Sequence, residues 1–251
     1  MGAGAFDAMS DRWWLVTLDA LDVRDLAAYD EVEWIDPGPM PHLEENDNTR
    51  ALVGVDAVQN ATINAGAGTI TYAGLTGSGV SVGVDDSGLD TAHPDLSVVG
   101  TVSANSPPLS PHGTHVGGTI AGSGANSNGT NAAGNANGGT AFQWRGMAPN
   151  AGLIDSNDLV NLGNLLNAIQ NFSLDISNHS HGVSVDGAYN ANNQTIDRAI
   201  RGGGTSNDTV VPRRPQVYSA GNNGSAARAP GNQRGYFSIT KQMKNPVVVG
   251  N

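Results

Sequence analysis

Hydrophobic positions recur along this chain with two different periods, which predict strands and helices in turn. Leucines at helical spacing between Leu159 and Ile169 predict an amphipathic helix, and residues 195–201 predict a shorter one. Short runs bounded by turn residues predict strands at residues 80–84, 152–154, 175–182 and 246–251, and residues 216–224 predict a strand that runs into a turn. Because strands and helices alternate, we predict an α/β domain with a parallel sheet built from βαβ units.

The first forty residues form a pattern of their own. Residues 13–18 and 32–35 predict short strands, and residues 23–29 predict a helix between them. Three prolines within residues 36–42 interrupt regular structure and mark a boundary. We therefore predict a separate segment at residues 1–43 and a main domain at residues 44–251.

Composition and charge narrow the choice of partners. The formal net charge is -11 with 12 Lys+Arg, which argues against nucleic acid or an anionic membrane as partner, because both bind clustered cations. The chain has no cysteine, which excludes disulfides and thiol catalysis. No stretch approaches a membrane-spanning length and the N-terminus lacks a signal-peptide pattern, so the protein is either cytoplasmic or begins after a targeting segment. The oligomeric state is not predicted.

One stretch brings two histidines next to a run of small residues, His112-Gly-Thr-His-Val-Gly-Gly-Thr-Ile-Ala-Gly122. Histidines three residues apart on a helix share a face, and small residues allow close packing of that helix. Taken alone, His112 and His115 fit a zinc ligand pair or two ordinary histidines as well as a catalytic role.

Polar residues at the ends of predicted elements favour the catalytic role. Asp86 follows one predicted strand, His112 opens a helix, and Asn222 follows another strand. Ligands bind at the carboxyl ends of parallel strands. A buried aspartate can orient a histidine that acts as general base, and an asparagine amide can donate to an oxyanion. These three residues form the supporting apparatus of a serine hydrolase.

Four motifs resemble those of the subtilisin-like serine proteases, the subtilase or peptidase S8 family. The chain is similar to the family at its aspartate motif, its histidine motif, its Gly-Met/Val-Ala-Pro turn and its oxyanion asparagine motif. The matching stretches are Val84-Asp-Asp-Ser-Gly-Leu-Asp-Thr-Ala-His-Pro-Asp-Leu96, His112 to Gly122 with Gly117 where alanine is common, Arg145-Gly-Met-Ala-Pro-Asn-Ala151 and Ser219-Ala-Gly-Asn-Asn-Gly224.

The resemblance implies a fold and a set of site residues. The fold is a three-layer α/β fold with a mostly parallel central sheet and helices on both faces, here without its C-terminal third. Asp86 is implied as the triad aspartate, His112 as the general base with His115 as its structural companion, and Asn222 as the oxyanion-hole donor. The residues implied to bind a peptide or protein substrate are Ser180, His181 and Gly182, lining an edge strand, and Ser219, Ala220 and Gly221, forming the other wall of the pocket.

The same resemblance implies a calcium site, a propeptide and a location. Asp95 matches a carboxylate that ligates structural calcium in many members. Residues 1–43 resemble the end of a propeptide with a linker, and residues 44–251 the N-terminal part of the peptidase domain. The family further implies a secreted enzyme.

The nucleophile is the main departure from the family pattern. Ser225 and Ser238 are the only serines after Asn222, and neither lies in a Gly-Thr-Ser-Met-Ala-like motif. We therefore interpret the chain as a fragment that lacks the serine and expect it to be inactive alone. The alternatives are a non-catalytic peptide-binding or inhibitory module and a metal-dependent hydrolase that uses His112 and His115.

A second departure lies beside the triad aspartate. Asp85 stands where the family usually has an apolar or small residue, and a second carboxylate there would raise a pKa or demand a cation. His181 stands where tryptophan or leucine is usual. His179 and His181 alternate on a strand and share a face, which also suits a metal.

Overall fold

The structure is a computed structural model that forms two compact units, Met1–Glu44 and Glu45–Asn251. It describes residues 6–10, 13–16, 20–32, 35, 46–103, 111–181, 189–203, 210–221 and 243–250. No helix within these residues is long and apolar enough to cross a membrane.

The first unit consists of a hairpin and a helix. Strands β1 (Phe6–Ser10) and β2 (Trp13–Val16) pair antiparallel, and helix α1 (Ala20–Leu26) follows. The strand predicted at residues 13–18 and the helix predicted at residues 23–29 correspond to β2 and α1, whereas Val32 and Ile35, the described residues of the predicted second strand, lie outside any strand. Only two residues separate β1 from β2, and such a short connection favours antiparallel pairing of neighbours.

The second unit opens with two short helices and a hairpin. Helices α2 (Asn46–Leu52) and α3 (Val55–Gln59) precede the antiparallel strands β3 (Ala61–Asn64) and β4 (Thr69–Tyr72). Arg145 joins α3 to a distant turn by donating to Asp56 Oδ1 at 2.7 Å and to Gln59 Oε1 at 2.8 Å. The start of the unit is thereby tied to residues some ninety positions later.

A parallel sheet of six strands forms the centre of the second unit. Its strands are β5 (Ser81–Asp85), β6 (Val98–Ser103), β7 (Gly152–Ser156), β8 (Ile176–His179), β9 (Gln216–Ser219) and β10 (Val247–Val249). Their order is β10-β9-β8-β5-β7-β6, and every neighbouring pair is parallel. The predicted α/β fold with a mostly parallel sheet is confirmed. The sequence did not predict β6 or the β3–β4 hairpin.

Helices α4 (Pro111–Ala121), α5 (Leu162–Phe172) and α6 (Ala191–Ile200) cover both faces of this sheet. Successive side chains of a strand point to opposite faces. On β7, Leu153 packs with Val84 and with Ala121 of α4, whereas the next residue, Ile154, packs with Leu165 of α5. Burying each such side chain contributes roughly 1.5–3 kcal/mol. The sheet therefore has an α4 face and an α5–α6 face.

Candidate catalytic site

The carboxyl end of β5 positions Asp86. Its backbone N–H donates to Ser156 O at 3.0 Å, which continues the pairing with β7 for one residue beyond the strand. Asp86 follows Val84 by two residues, and Val84 points to the α4 face. The alternation of the strand therefore directs the Asp86 side chain toward α4.

A glycine contact brings α4 close to this loop. A Cβ on Gly113 would lie 2.4 Å from Gly88 O, so only glycine permits this approach. Ser87 Oγ also accepts the Gly113 N–H at 3.0 Å, and Thr114 Oγ1 accepts the Asp90 N–H at 2.8 Å. These contacts hold the first turn of α4, and with it His112, against the loop that carries Asp86.

Asp86 and His112 form a hydrogen-bonded pair. His112 Nδ1 lies 2.7 Å from Asp86 Oδ1, which also accepts from Ser87 N at 2.7 Å and Ser87 Oγ at 3.1 Å. The Asp86 side chain is 2% exposed and that of His112 is 55% exposed. With Nδ1–H donating to a buried carboxylate, the neutral imidazole carries its lone pair on Nε2. The arrangement orients a solvent-accessible base on a buried anion.

Asp155 supports the loop from the next strand. Its Oδ1 accepts the Leu89 N–H at 3.0 Å. Burial raises the pKa of Asp155 above its usual value, and the Leu89 N–H opposes that rise only partly. The roles of Asp155 and of the Ser87 and Thr114 hydroxyls were not predicted, because their partners lie in other elements; Ser87 and Thr114 stand within the aspartate and histidine motifs, whereas no motif marks Asp155.

The residues predicted to bind substrate follow two neighbouring strands. Ser180 comes directly after β8, and its Oγ accepts from Asn178 Nδ2 at 2.8 Å. Ser219 ends β9, the Ala220 N–H donates to Val249 O at 2.7 Å, and Gly221 has a φ of 104°. Gly182 and Asn222 lie outside the described residues. β8 itself lies between β5 and β9, so a peptide could pair only beyond its end, and the binding role of Ser180, His181 and Gly182 stays a prediction.

Comparison with known proteins agrees with this geometry. The model of the subtilase family, Peptidase S8, matches residues 77–251, which include the Asp86 loop and α4. The chain belongs to the subtilase family. Over 54 residues it is 52% identical to subtilisin from Bacillus pumilus, across 19% of this chain and 20% of that protein.

Two further relatives show the same extent of similarity. Subtilisin E from Bacillus subtilis strain 168 and subtilisin J from Geobacillus stearothermophilus are each 52% identical over 54 residues, across 19% of this chain and 14% of each relative. The chain thus spans 20% or less of the length of these curated relatives. The similarity agrees with membership of the subtilase family, and it covers only a small part of the length of each relative.

Asp95, the predicted calcium ligand of this subtilase, holds a loop together. Its Oδ1 accepts from Ser123 Oγ at 2.9 Å and from Asn126 N at 3.0 Å, and its backbone oxygen accepts from Ser123 N at 2.8 Å. Two donors at Oδ1 occupy positions that a cation would take, so the surroundings of that oxygen do not fit calcium. Calcium at Asp95 stays a prediction.

His115 and the residues around Asp85 complete the set of predicted positions. His115 is exposed on α4. Asp85 is buried, and its Oδ2 lies 2.8 Å from His179 Nδ1 and 3.3 Å from His181 Nε2. Burial by itself would raise the pKa of Asp85, but the hydrogen bonds and charges of His179 and His181 outweigh it and hold that pKa below its usual value. The raised pKa expected from a neighbouring carboxylate therefore does not occur at Asp85.

Proposed function

We propose that this chain carries the aspartate and histidine of a serine-type endopeptidase site that cleaves peptide or protein substrates. The 2.7 Å contact between His112 Nδ1 and Asp86 Oδ1, within a chain of the subtilase family, carries this proposal. His112 is the general base, Asp86 orients it, and Asn222 supplies the oxyanion donor. The family also supports secretion as part of the proposal.

The geometry suits proton transfer from a serine hydroxyl. The Nε2 lone pair of His112 takes the proton as the serine oxygen attacks the scissile carbonyl, and His112 later returns it to the leaving amine. Asp86 stabilises the imidazolium through Nδ1–H and keeps the ring in the required tautomer. General acid–base catalysis of this kind contributes typically about 10²–10⁴-fold to the rate.

The nucleophile decides whether this chain acts alone. Ser225 and Ser238, the serines after Asn222, have no Gly-Thr-Ser context, and we propose that the 251-residue chain does not hydrolyse peptides by itself. A fluorophosphonate probe should label no serine of the purified chain. Covalent labelling together with peptide hydrolysis would refute this part of the proposal.

The role of His112 is tested in the product of the complete reading frame. His112→Ala should abolish peptidase activity there. His115→Ala is the matched control, because it removes an exposed imidazole three residues along the same helix. Equal activity of both variants would contradict the assignment of His112 as general base.

A non-catalytic peptide-binding or inhibitory module is the second candidate. The codons that follow Asn251 separate the two candidates, because a Gly-Thr-Ser motif there supports the peptidase and a stop codon supports the binding module. A metal hydrolase that uses His112 and His115 is less favoured, because among the described residues the convergent group of three metal-ligand side chains is Asp85, His179 and His181, and it includes neither of them.

Structural calcium is a further part of the proposal, and it is supported by the family alone; because Asp95 Oδ1 already accepts two hydrogen bonds, a calcium ion at Asp95 must bind another oxygen or displace these donors. Chelation should lower the thermal unfolding temperature if calcium binds the folded chain, because a ligand of the native state stabilises it. An unchanged unfolding temperature would contradict the calcium proposal and leave the peptidase proposal intact.

A further inference from the structure

The cluster around Asp85 lies on the opposite face of the sheet from the Asp86–His112 pair. Asp85, His179 and Tyr218 occupy one row across β5, β8 and β9, so their side chains share a face. Gly83, two residues before Asp85, faces Leu159 of the α5–α6 core. The cluster is therefore separate from the catalytic pair, although Asp85 and Asp86 are adjacent in the chain.

The three ligand atoms of this cluster converge. Asp85 Oδ2 lies 2.8 Å from His179 Nδ1 and 3.3 Å from His181 Nε2, and the ligand atoms of the three residues all lie within 4.8 Å of one another. Two ligands bound about 2.0–2.1 Å from a tetrahedral zinc ion lie about 3.3–3.4 Å apart. The 3.3 Å spacing of Asp85 and His181 matches this value, and the 2.8 Å spacing of Asp85 and His179 is about 0.5 Å shorter than it.

The burial of Asp85 calls for a further positive partner. Its side chain is 1% exposed, and Oδ1 has no hydrogen-bond partner within the described residues. A buried polar atom without a partner is costly, and a bound ion is one way in which proteins satisfy it. A cation between the carboxylate and the two imidazoles neutralises the buried charge through Oδ2, and it satisfies Oδ1 as well when the carboxylate binds it with both oxygens.

Surrounding groups fix His179 in a ligand-like orientation. Its Nε2 lies 2.9 Å from Ser177 Oγ, and its ring stacks on Tyr218 with centroids 4.1 Å apart and planes 7° apart. Histidines that bind a metal through one nitrogen usually donate the other N–H to an oxygen. With Nδ1 on a metal, the Nε2–H of His179 donates to Ser177 Oγ.

We propose that Asp85, His179 and His181 form a binding site for one divalent transition-metal ion of the zinc class. Two imidazoles and one carboxylate are ligands that suit zinc and its neighbours in the first transition row. Asp85 and His179 form the closed inner side of the site, and the 35% exposure of His181 gives the ion access from solvent. The site is independent of the proposed peptidase function.

Cobalt titration of the purified 251-residue chain tests the site. We expect one equivalent of Co²⁺ to bind with the visible absorption of a tetrahedral complex, and Zn²⁺ to displace it. His181→Ala should weaken binding on the order of 10-fold or more, and Ser177→Ala should weaken it by a similar factor through His179. His115→Ala is the control, because it removes an exposed histidine of the rival pair with His112 and should leave the affinity unchanged.

A cysteine variant identifies the ligand directly. The chain contains no cysteine, so a thiolate-to-cobalt absorption band in His181→Cys can come only from position 181. This band decides the matter even if His181→Ala fails to fold. The proposal is overturned if the native chain binds no stoichiometric Co²⁺, if His181→Cys shows no such band, or if His115→Ala removes the binding.

Discussion

The contact between α4 and the aspartate loop predicts opposite effects for two glycine substitutions on one helix. A Cβ on Gly113 would meet Gly88 O at 2.4 Å, and that oxygen belongs to backbone that cannot rotate away. A Cβ on Gly118 would meet nothing within 4 Å. Both positions lie within α4, so replacement by alanine changes the helix propensity equally at each. The difference in stability between the two variants therefore measures the packing contact of Gly113.

The magnitudes follow from two terms. Replacing glycine by alanine inside a helix stabilises it by roughly 0.8–1 kcal/mol, and this gain applies to both variants. Forcing an extra carbon into a closely packed contact costs typically about 1–3 kcal/mol, which applies to Gly113→Ala alone. The free energies of unfolding of the two variants should therefore differ by about 1–3 kcal/mol, with Gly118→Ala the more stable.

Urea denaturation followed by circular dichroism measures this difference. Gly118→Ala should unfold at higher urea concentration than the native chain, and Gly113→Ala at lower concentration than Gly118→Ala. In the complete reading-frame product, Gly113→Ala should also reduce peptidase activity, because it displaces His112 from Asp86. Equal midpoints for the two variants would refute the close approach of α4 to Gly88, and with it the reason His112 reaches Asp86.

Three further predictions concern buried polar groups. Asp155→Asn keeps an oxygen for the Leu89 N–H but removes the carboxyl group. Because burial raises the pKa of Asp155 in the folded chain, the native chain loses stability as pH rises from the ordinary aspartate pKa to that higher value. The thermal unfolding temperature of the variant relative to that of the native chain should therefore increase with pH, and a difference that stays constant with pH would contradict this. Asp197→Ala removes the acceptor of the Tyr189 hydroxyl and of two backbone N–H groups, and it should lower the free energy of unfolding in urea by on the order of 3 kcal/mol. Burial by itself would raise the pKa of Asp197, but its hydrogen bonds outweigh burial and lower that pKa. The greater stability of the native chain should therefore vanish as pH falls through the lowered pKa, and its persistence in acid would contradict these bonds. Gln59→Leu removes the donor to two backbone carbonyls at 3.0 Å and the acceptor of the Arg145 Nε–H at 2.8 Å. It should cost about 1–3 kcal/mol or more in the same assay, and an unchanged unfolding midpoint would contradict these three bonds.

Sequence patterns predicted those elements whose signal is local. The spacing from Leu159 to Ile169 predicted α5, which is observed at Leu162–Phe172 with Asn161 capping its first turn. The strand before Asp86 was predicted from its alternating valines. β6 was not predicted, because Val98–Ser103 lies between polar segments and its strand character depends on pairing with β7, more than fifty residues away.

Some features of the candidate site could be predicted from the sequence, and others only from the tertiary structure. The sequence by itself determined which residues could act, because Asp86, His112 and their flanking glycines form motifs that can be read without a structure. Tertiary structure alone decided that Asp86 is the one of the two aspartates that meets His112, and that Asp85 meets His179 and His181. The physical reason is that this meeting depends on the order and register of β5 and β8, which are set by packing between segments more than ninety residues apart.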